Sequence, residues 1–393
     1  MATTRVSSAR RGGPPRDAGS PDGGAAPVGC VPIRRRVKLA ALGSVATLAA
    51  ALGAVCLGSG CSTLGYYAQS MGGHLDLMRR TRPVADWVAD PASPPALRER
   101  LVLSQQMRSF AVRELALPDN ASYARYADLG RSAVVWNVVA APELSLTLKT
   151  WCYPVLGCVG YRGYFDPAAA QAEAQALRAA GWEVSVYGVP AYSTLGWTNW
   201  IGGDPLLNTF VSRSEAGLAR LMFHELAHQV VYVNGDTAFN ESYATAVERL
   251  GLARWQAASG RSADVPAEVR RRDDFRAIAR RTRSALAALY ASDLADDRKR
   301  AQKADLLAAM RAELATLKAD ASSPWAGFNG YDDWAAKANN ASLALQAAYD
   351  SGVPAFEALF RQQGSDFARF HAEVRRLAAL PAAERRIALP PTP

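Results

Sequence analysis

The sequence predicts an α+β fold: a small mixed β-sheet in the first half and a predominantly helical second half that contains a long helical hairpin. Three observations carry this expectation. Runs of β-branched and aromatic residues with two-residue alternation fall between Ser132 and Tyr187. From Ser212 onward apolar residues recur at helical spacing. Within 269–320 two apolar stripes, one through Phe275, Ile278, Leu286 and Leu289 and the other through Leu306, Leu307, Met310, Leu314 and Leu317, flank a polar turn at Asp293–Arg298.

Taken in order, residues 1–30 are rich in Arg, Gly, Pro, Ala and Ser without apolar periodicity, a composition that favours disorder or an over-long start. Arg34-Arg35-Arg36-Val37-Lys38, the apolar run Leu39–Leu57 and the small residues Gly58-Ser59-Gly60 before Cys61 form a secretory signal. The cysteine after small residues resembles a bacterial lipobox, with Cys61 as the lipidated residue, although Gly58 stands where that motif usually has Leu. The alternative is an uncleaved anchor, because the run is just long enough to span a bilayer. Residues 62–82 read as a spacer leading into a helix, and a second helix runs from about Ala96 to Leu115 after the proline break, with Ser93 placed to start it. Val134–Val139 and the alternating Leu144, Leu146 and Leu148 read as strands, and Tyr153–Phe165 as a structured loop or strand edge. Asp166 caps an alanine-rich helix closed by Gly181, and Glu183–Tyr187 is a half-buried strand. Ser212-Arg213-Ser214-Glu215 fits a capping box that opens a helix ending at Asn234-Gly235, and Asn240–Trp255 is the next helix. Beyond the hairpin come an aromatic loop at 321–333, helices over Trp334–Tyr349 and Pro354–Leu377, and a loose Pro- and Ala-rich tail.

The formal charge is +9 over 393 residues, yet residues 1–60 hold eight basic and two acidic side chains, leaving +3 for the rest. The basic excess is an N-terminal feature, so no nucleic-acid partner is expected. Of the five cysteines, removal of residues 1–60 deletes Cys30 and Cys56, and lipidation occupies Cys61. The remaining Cys152 and Cys158 can form a disulfide in an oxidising compartment, or stand as two small buried thiols.

Two of the four histidines fall in His224-Glu225-Leu226-Ala227-His228, an H-E-x-x-H motif in mid-helix. Residues four apart share a helix face, so both imidazoles can grip one Zn²⁺ per chain. Glu225 is then placed as general base for a water that attacks a carbonyl carbon. A catalytic zinc needs a third protein ligand, and Asp236, Glu241 and Glu248 are the nearby acids.

The segment Asn240-Glu241-Ser242-Tyr243-Ala244 resembles the third-ligand segment of gluzincins, which implies Glu241 as ligand. Glu248 on the same face is a candidate to hold a ligand imidazole by its other N–H, with a surface carboxylate as the alternative. Several further segments resemble a bacterial family of predicted aminopeptidases. They are Gly65-Tyr66-Tyr67-Ala68-Gln69, Cys158–Phe165, Ala191–Trp197, Asp204–Thr209 and Asn339-Asn340-Ala341. The likeness spans nearly all of 61–380, apart from an insertion-like Thr198–Gly203. It implies a zincin-like peptidase core at 61–256, with a hairpin and C-terminal helices at 257–380 completing the cleft, between the signal at 1–60 and the tail at 381–393. It also implies a peptide substrate and a lipid-anchored protein of the bacterial envelope. Ser62 after the lipid cysteine points to the outer membrane, facing the periplasm. Val184–Thr194 is the candidate substrate-pairing strand. Tyr192, Arg162, Tyr243 and Tyr349 are candidates for oxyanion stabilisation or substrate contact. An envelope endopeptidase and a non-catalytic lipid-anchored binding protein with structural zinc stand as alternatives. The residues leave the oligomeric state open.

Overall fold

A computed structural model describes residues 65–153, 157–191, 193–194, 202–260, 267–350 and 352–390, with the side chains of 347–350 outside the description. The signal segment with Cys61, Tyr192, the Tyr349 side chain and Thr198–Ile201 lie outside the described residues. The chain runs through α1 (65–80), β1 (Arg82–Pro83), α2 (Val84–Ala89) and α3 (Pro95–Leu115). Pro95 fills the first turn of α3, where its missing N–H costs nothing, and Pro94 takes the cap position expected for a hydroxyl. Ser93 is buried beside it and does not cap the helix.

β2 (Arg125–Ala127), β3 (Val135–Ala141), the hairpin β4 (Trp151–Tyr153) and β5 (Gly157–Val159), β6 (Arg162–Tyr164), α4 (Pro167–Ala179) and β7 (Glu183–Val189) follow. β3 is the centre of an antiparallel sheet ordered β6-β3-β7. Its alternation sorts two faces. Val138 and Ala140 pack with Ala170, Ala174 and Leu177 of α4, while Val139 and Ala141 face the other way. The alternation at Leu144, Leu146 and Leu148 does not make a strand. Pro142 directly after β3 has no N–H for a ladder, and Leu146 and Leu148 pack into two separate clusters. Cys152 pairs with Cys158 across β4–β5, and a disulfide joins them. Asp166 caps α4, its carboxylate accepting from the Ala168 N–H at 2.9 Å.

β8 (Leu206–Leu207) pairs in parallel with β2, which pairs antiparallel with β1. α5 (Asn208–Val211), α6 (Glu215–Val230) and α7 (Thr237–Ala258) follow. The capping box at Ser212 is corrected. Ser212 ends the short helix α5, and Ser214 caps α6, its Oγ accepting from the Gly217 N–H at 3.0 Å. Glu215 instead accepts from the Trp255 indole N–H at 2.8 Å.

α8 (Ala267–Ala291) and α9 (Asp296–Ala319) form the long hairpin, with Phe275, Ile278, Leu286, Leu289, Met310 and Leu314 in its seam. The aromatic loop closes its open end: Trp325 is wholly buried, and Tyr331 stacks on Phe275 with ring centroids 4.1 Å apart. α10 (Asp332–Lys337) and α11 (Asn340–Asp350) replace the single helix expected there. Between them Asn339 turns its side-chain amide to the Val184 carbonyl of β7. α11 sets Ala341 and Leu345 against Val139 and Ala141, so the sheet lies between α4 and α11. α12 (Val353–Gln362) and α13 (Phe367–Ala378) split where Gly364 and Ser365 take positive φ. The tail is not loose up to residue 390. α14 (Ala382–Ala388) is held by buried Arg385, whose guanidinium lies 3.4 Å from Asp236 and over the Phe239 ring. The main core joins α3, α6, α7, α12 and α13 through Leu101, Met107, Phe223, Val247, Phe356 and Phe370. Among the described residues no helix is long and apolar enough to cross a membrane.

Candidate metal centre

α6 and α7 pack against each other more extensively than any other helix pair. Their junction is fixed by Asn240, whose amide accepts from the Val233 N–H and donates to the Val233 carbonyl, each at 2.8 Å. Asp236 caps α7 through the Phe239 N–H at 3.1 Å, and Gly235 supplies the positive φ of the turn. This bracing sets the register of α7, and with it Glu241, against His224 and His228. Asp236, one of the three acids near the motif, is therefore a cap and a partner of Arg385.

The two imidazoles and the Glu241 carboxylate converge. His224 Nε2 lies 3.2 Å from His228 Nε2 and 3.2 Å from Glu241 Oε2, and His228 Nε2 lies 3.7 Å from Glu241 Oε1. Three ligands at zinc–nitrogen and zinc–oxygen bond lengths on a tetrahedron stand about 3.3 Å apart. The donor set therefore fits that ion. Glu241 Oε2 is buried without a hydrogen-bond partner, which suits an oxygen facing a cation. Burial pushes the Glu241 carboxyl up, but the two imidazoles outweigh it and hold it below the ordinary range. His228 Nδ1 also has no hydrogen-bond partner.

Behind His224 runs a chain of buried charges. His224 Nδ1 meets Glu248 Oε2 at 3.1 Å, and Glu248 Oε1 accepts from Arg220 Nε at 3.1 Å and from its terminal nitrogen at 2.5 Å. Arg272 lies 3.5 Å from the same oxygen. Glu248 is 6% exposed and Arg220 3%, so Glu248 is no surface carboxylate. Burial raises the Glu248 pKa, and the His224 and Arg220 contacts more than offset it. This arrangement fixes the His224 tautomer with Nε2 toward Glu241.

Glu225 is half-buried one step round α6. Burial raises its pKa, and the adjacent imidazoles pull in the opposite direction without cancelling the rise. Its other flank is polar. Gln229, one turn on, donates to Asp204 Oδ2 at 3.2 Å and Ser122 Oγ at 3.1 Å, and accepts from Asn120 Nδ2 at 2.7 Å. Asp204 is fully buried and held further by the Thr194 N–H at 3.0 Å and hydroxyl at 2.7 Å.

The oxyanion candidates fare differently. Tyr243 is corrected: it is completely buried, donates to His371 Nδ1 at 2.8 Å and packs on Phe356 and Phe370, on the core side of α7. It lies two residues beyond Glu241, and that step turns it away from the ligands. Arg162 is corrected as well. Its guanidinium lies over the Tyr66 ring at 4.2 Å and 3.6 Å from Glu173 of α4, on the α4 face of the sheet. Tyr161, one residue earlier, falls on the opposite face with Tyr187. Burial raises both phenols, and the Glu241 carboxylate adds to each, with Glu225 also acting on Tyr161. Tyr232 and Tyr123 are raised by burial first, then by Glu241 and by Glu225 respectively. Sequence reasoning passed over Tyr161, Tyr187 and Arg220. Strand parity around Arg162 and the four-residue step from Arg220 to His224 were the signals available.

Of the Val184–Thr194 candidate strand, β7 covers Glu183–Val189 and pairs only with β3 among the described strands. No curated protein and no solved structure matches the chain. A family model does match, over residues 65–389, and the protein belongs to that family, described as "Putative aminopeptidase".

Proposed function

We propose that the chain is a zinc-dependent aminopeptidase, with His224, His228 and Glu241 holding one Zn²⁺ and Glu225 as general base. The observation that carries this reading is the approach of His224 Nε2, His228 Nε2 and the Glu241 carboxylate to 3.2–3.7 Å of one another. Zinc bound there supplies a Lewis acid that acidifies water and polarises a peptide carbonyl. Glu225 takes the proton of the attacking water and delivers it to the departing amine. Its raised pKa keeps proton acceptance and donation close in energy. Glu248 and Arg220 hold the His224 ring in orientation. Tyr161, in place of Arg162 or Tyr243, is the donor for the carbonyl oxygen, since it shares the sheet face of Tyr187, and the Glu241 and Glu225 carboxylates both act on its phenol. β7 offers the edge along which an extended peptide lies. Action at the amino terminus rests on the family description. The export signal and Cys61 tether this activity to a bacterial envelope membrane, the outer one by the Ser62 argument.

The test is the purified full chain. One zinc per chain and hydrolysis of aminoacyl amides are expected, with Glu225→Gln lowering kcat/KM by about a hundredfold or more while zinc content stays unchanged. Cleavage of blocked peptides, with free amino termini ignored, would assign an endopeptidase. Zinc retained without any hydrolysis would overturn the catalytic reading.

A further inference from the structure

One face of α1 packs on the body of the protein. Tyr66 meets Tyr153 and Tyr164, Gln69 accepts from the Phe165 N–H at 3.1 Å, and Leu77 is buried in the main core. The adjoining face carries Tyr67, Met71 and Leu75, spaced four apart and 37%, 68% and 49% exposed. These are three of the six large apolar side chains that stand exposed among the described residues. Residues at that spacing form one continuous stripe along a helix. Exposed Arg79 lies at its C-terminal end. An apolar stripe with a cation at its border is the pattern of a helix lying in a bilayer interface.

The sequence supplies the occupant. The apolar run ends at Leu57 and the lipid-accepting cysteine is Cys61, whereas α1 is under way at Gly65. Four residues of extended chain reach at most about 14 Å. With Cys61 carrying a lipid, the first turn of α1 is held within that distance of the point of attachment; with residues 39–57 spanning the bilayer, the eight residues from Leu57 to Gly65 hold it within about 28 Å. Lipid is then present at high local concentration, and lowering the stripe onto it removes three large side chains from water without any new partner.

We infer that the Tyr67–Met71–Leu75 face of α1 docks on the surface of the membrane that anchors the chain. This rests on the N-terminal reading of export and anchoring, independently of the zinc site. Docking orients the body through α1, because the opposite face of that helix is locked to β6 by Tyr66 and Gln69.

The experiment places the photocrosslinking residue benzoylphenylalanine at position 71 or 75 of the full chain, and at exposed Glu384 of α14 as a control, in bacterial membranes. Adducts to phospholipid at 71 and 75, with none at 384, are expected. Lipid adducts should disappear at position 75 when Met71→Glu is also present, with the thermal midpoint in detergent unchanged. A membrane-bound chain that crosslinks at 71 to a protein, to its own 195–201 segment, or to nothing overturns the docking while leaving the anchor intact. A chain recovered wholly in the soluble fraction overturns both.

Discussion

α6–α7 and α8–α9 are both antiparallel helix pairs, yet they bury opposite kinds of residue. The α8–α9 seam is apolar, through Phe275, Ile278, Leu286, Leu289, Met310 and Leu314, and most of its many charges lie outward. α6 and α7 bury Arg220, His228, Asn240, Thr245 and Glu248. A helix pair gains stability from the first arrangement, whereas desolvating ions works against folding unless each finds a partner. The contrast teaches that buried polarity, more than the number of charged residues, marks the working part of this chain.

The largest expected effect in breaking that contrast lies behind His224. Arg220→Met leaves Glu248 buried with the His224 ring on one oxygen and only the longer Arg272 contact on the other, and should cost about 3 kcal/mol in stability. Chelator competition should also show a roughly tenfold to hundredfold loss of zinc affinity, partly restored by Arg220→Lys. A variant with unchanged affinity would make Arg220 purely structural. A second probe compares the site with the core histidine. His371 Nε2 donates to the Leu115 carbonyl at 2.9 Å, Nδ1 accepts from Tyr243, and burial lowers its pKa to about 4. In the unfolded chain the ring takes up a proton near pH 6.5, while the folded ring stays neutral until about pH 4. Stability is therefore full above 6.5 and falls between those values by about 3 kcal/mol, read from denaturant unfolding as a function of pH. His371→Gln should flatten that slope.

A smaller change is expected at the exposed disulfide. Cys152→Ser with Cys158→Ser opens a short loop and should destabilise by about 2 kcal/mol in thermal unfolding. Smallest of all, removing the Arg281–Glu313 pair, which lies on the half-exposed side of the hairpin, should move stability by no more than about 0.5 kcal/mol. A loss there comparable to Arg220→Met would erase the distinction between the two helix pairs.

The elements legible in the sequence were those whose signal is local. The Asp166 cap, the alanine-rich α4 and the two stripes of the hairpin follow from spacing alone. So does the placement of His224 and His228 on one helix face. What depended on distant partners was not legible. Nothing near Leu206 tells that two residues pair with β2. Ser212 and Ser214 both suit a cap, and the choice was made by the chain bending into α5 first. Tyr243 and Arg162 had the right chemistry, but their facing was decided by packing on Phe370 and on α4. Arg385, read as part of a loose tail, is ordered by Asp236, far away in sequence.

The Asn240 clasp makes the three converging side chains a product of one short stretch of polypeptide, from His224 to Glu241. Contacts so close in sequence close quickly, whereas the β6-β3-β7 sheet and its α11 cover must wait for distant segments to meet. The three side chains can thus gather early, as soon as these two helices meet. The same closeness leaves little tolerance: one residue added or removed between Val231 and Asp236 changes the spacing that the Val233–Asn240 clasp spans, and with it the seat of Glu241 against the two imidazoles.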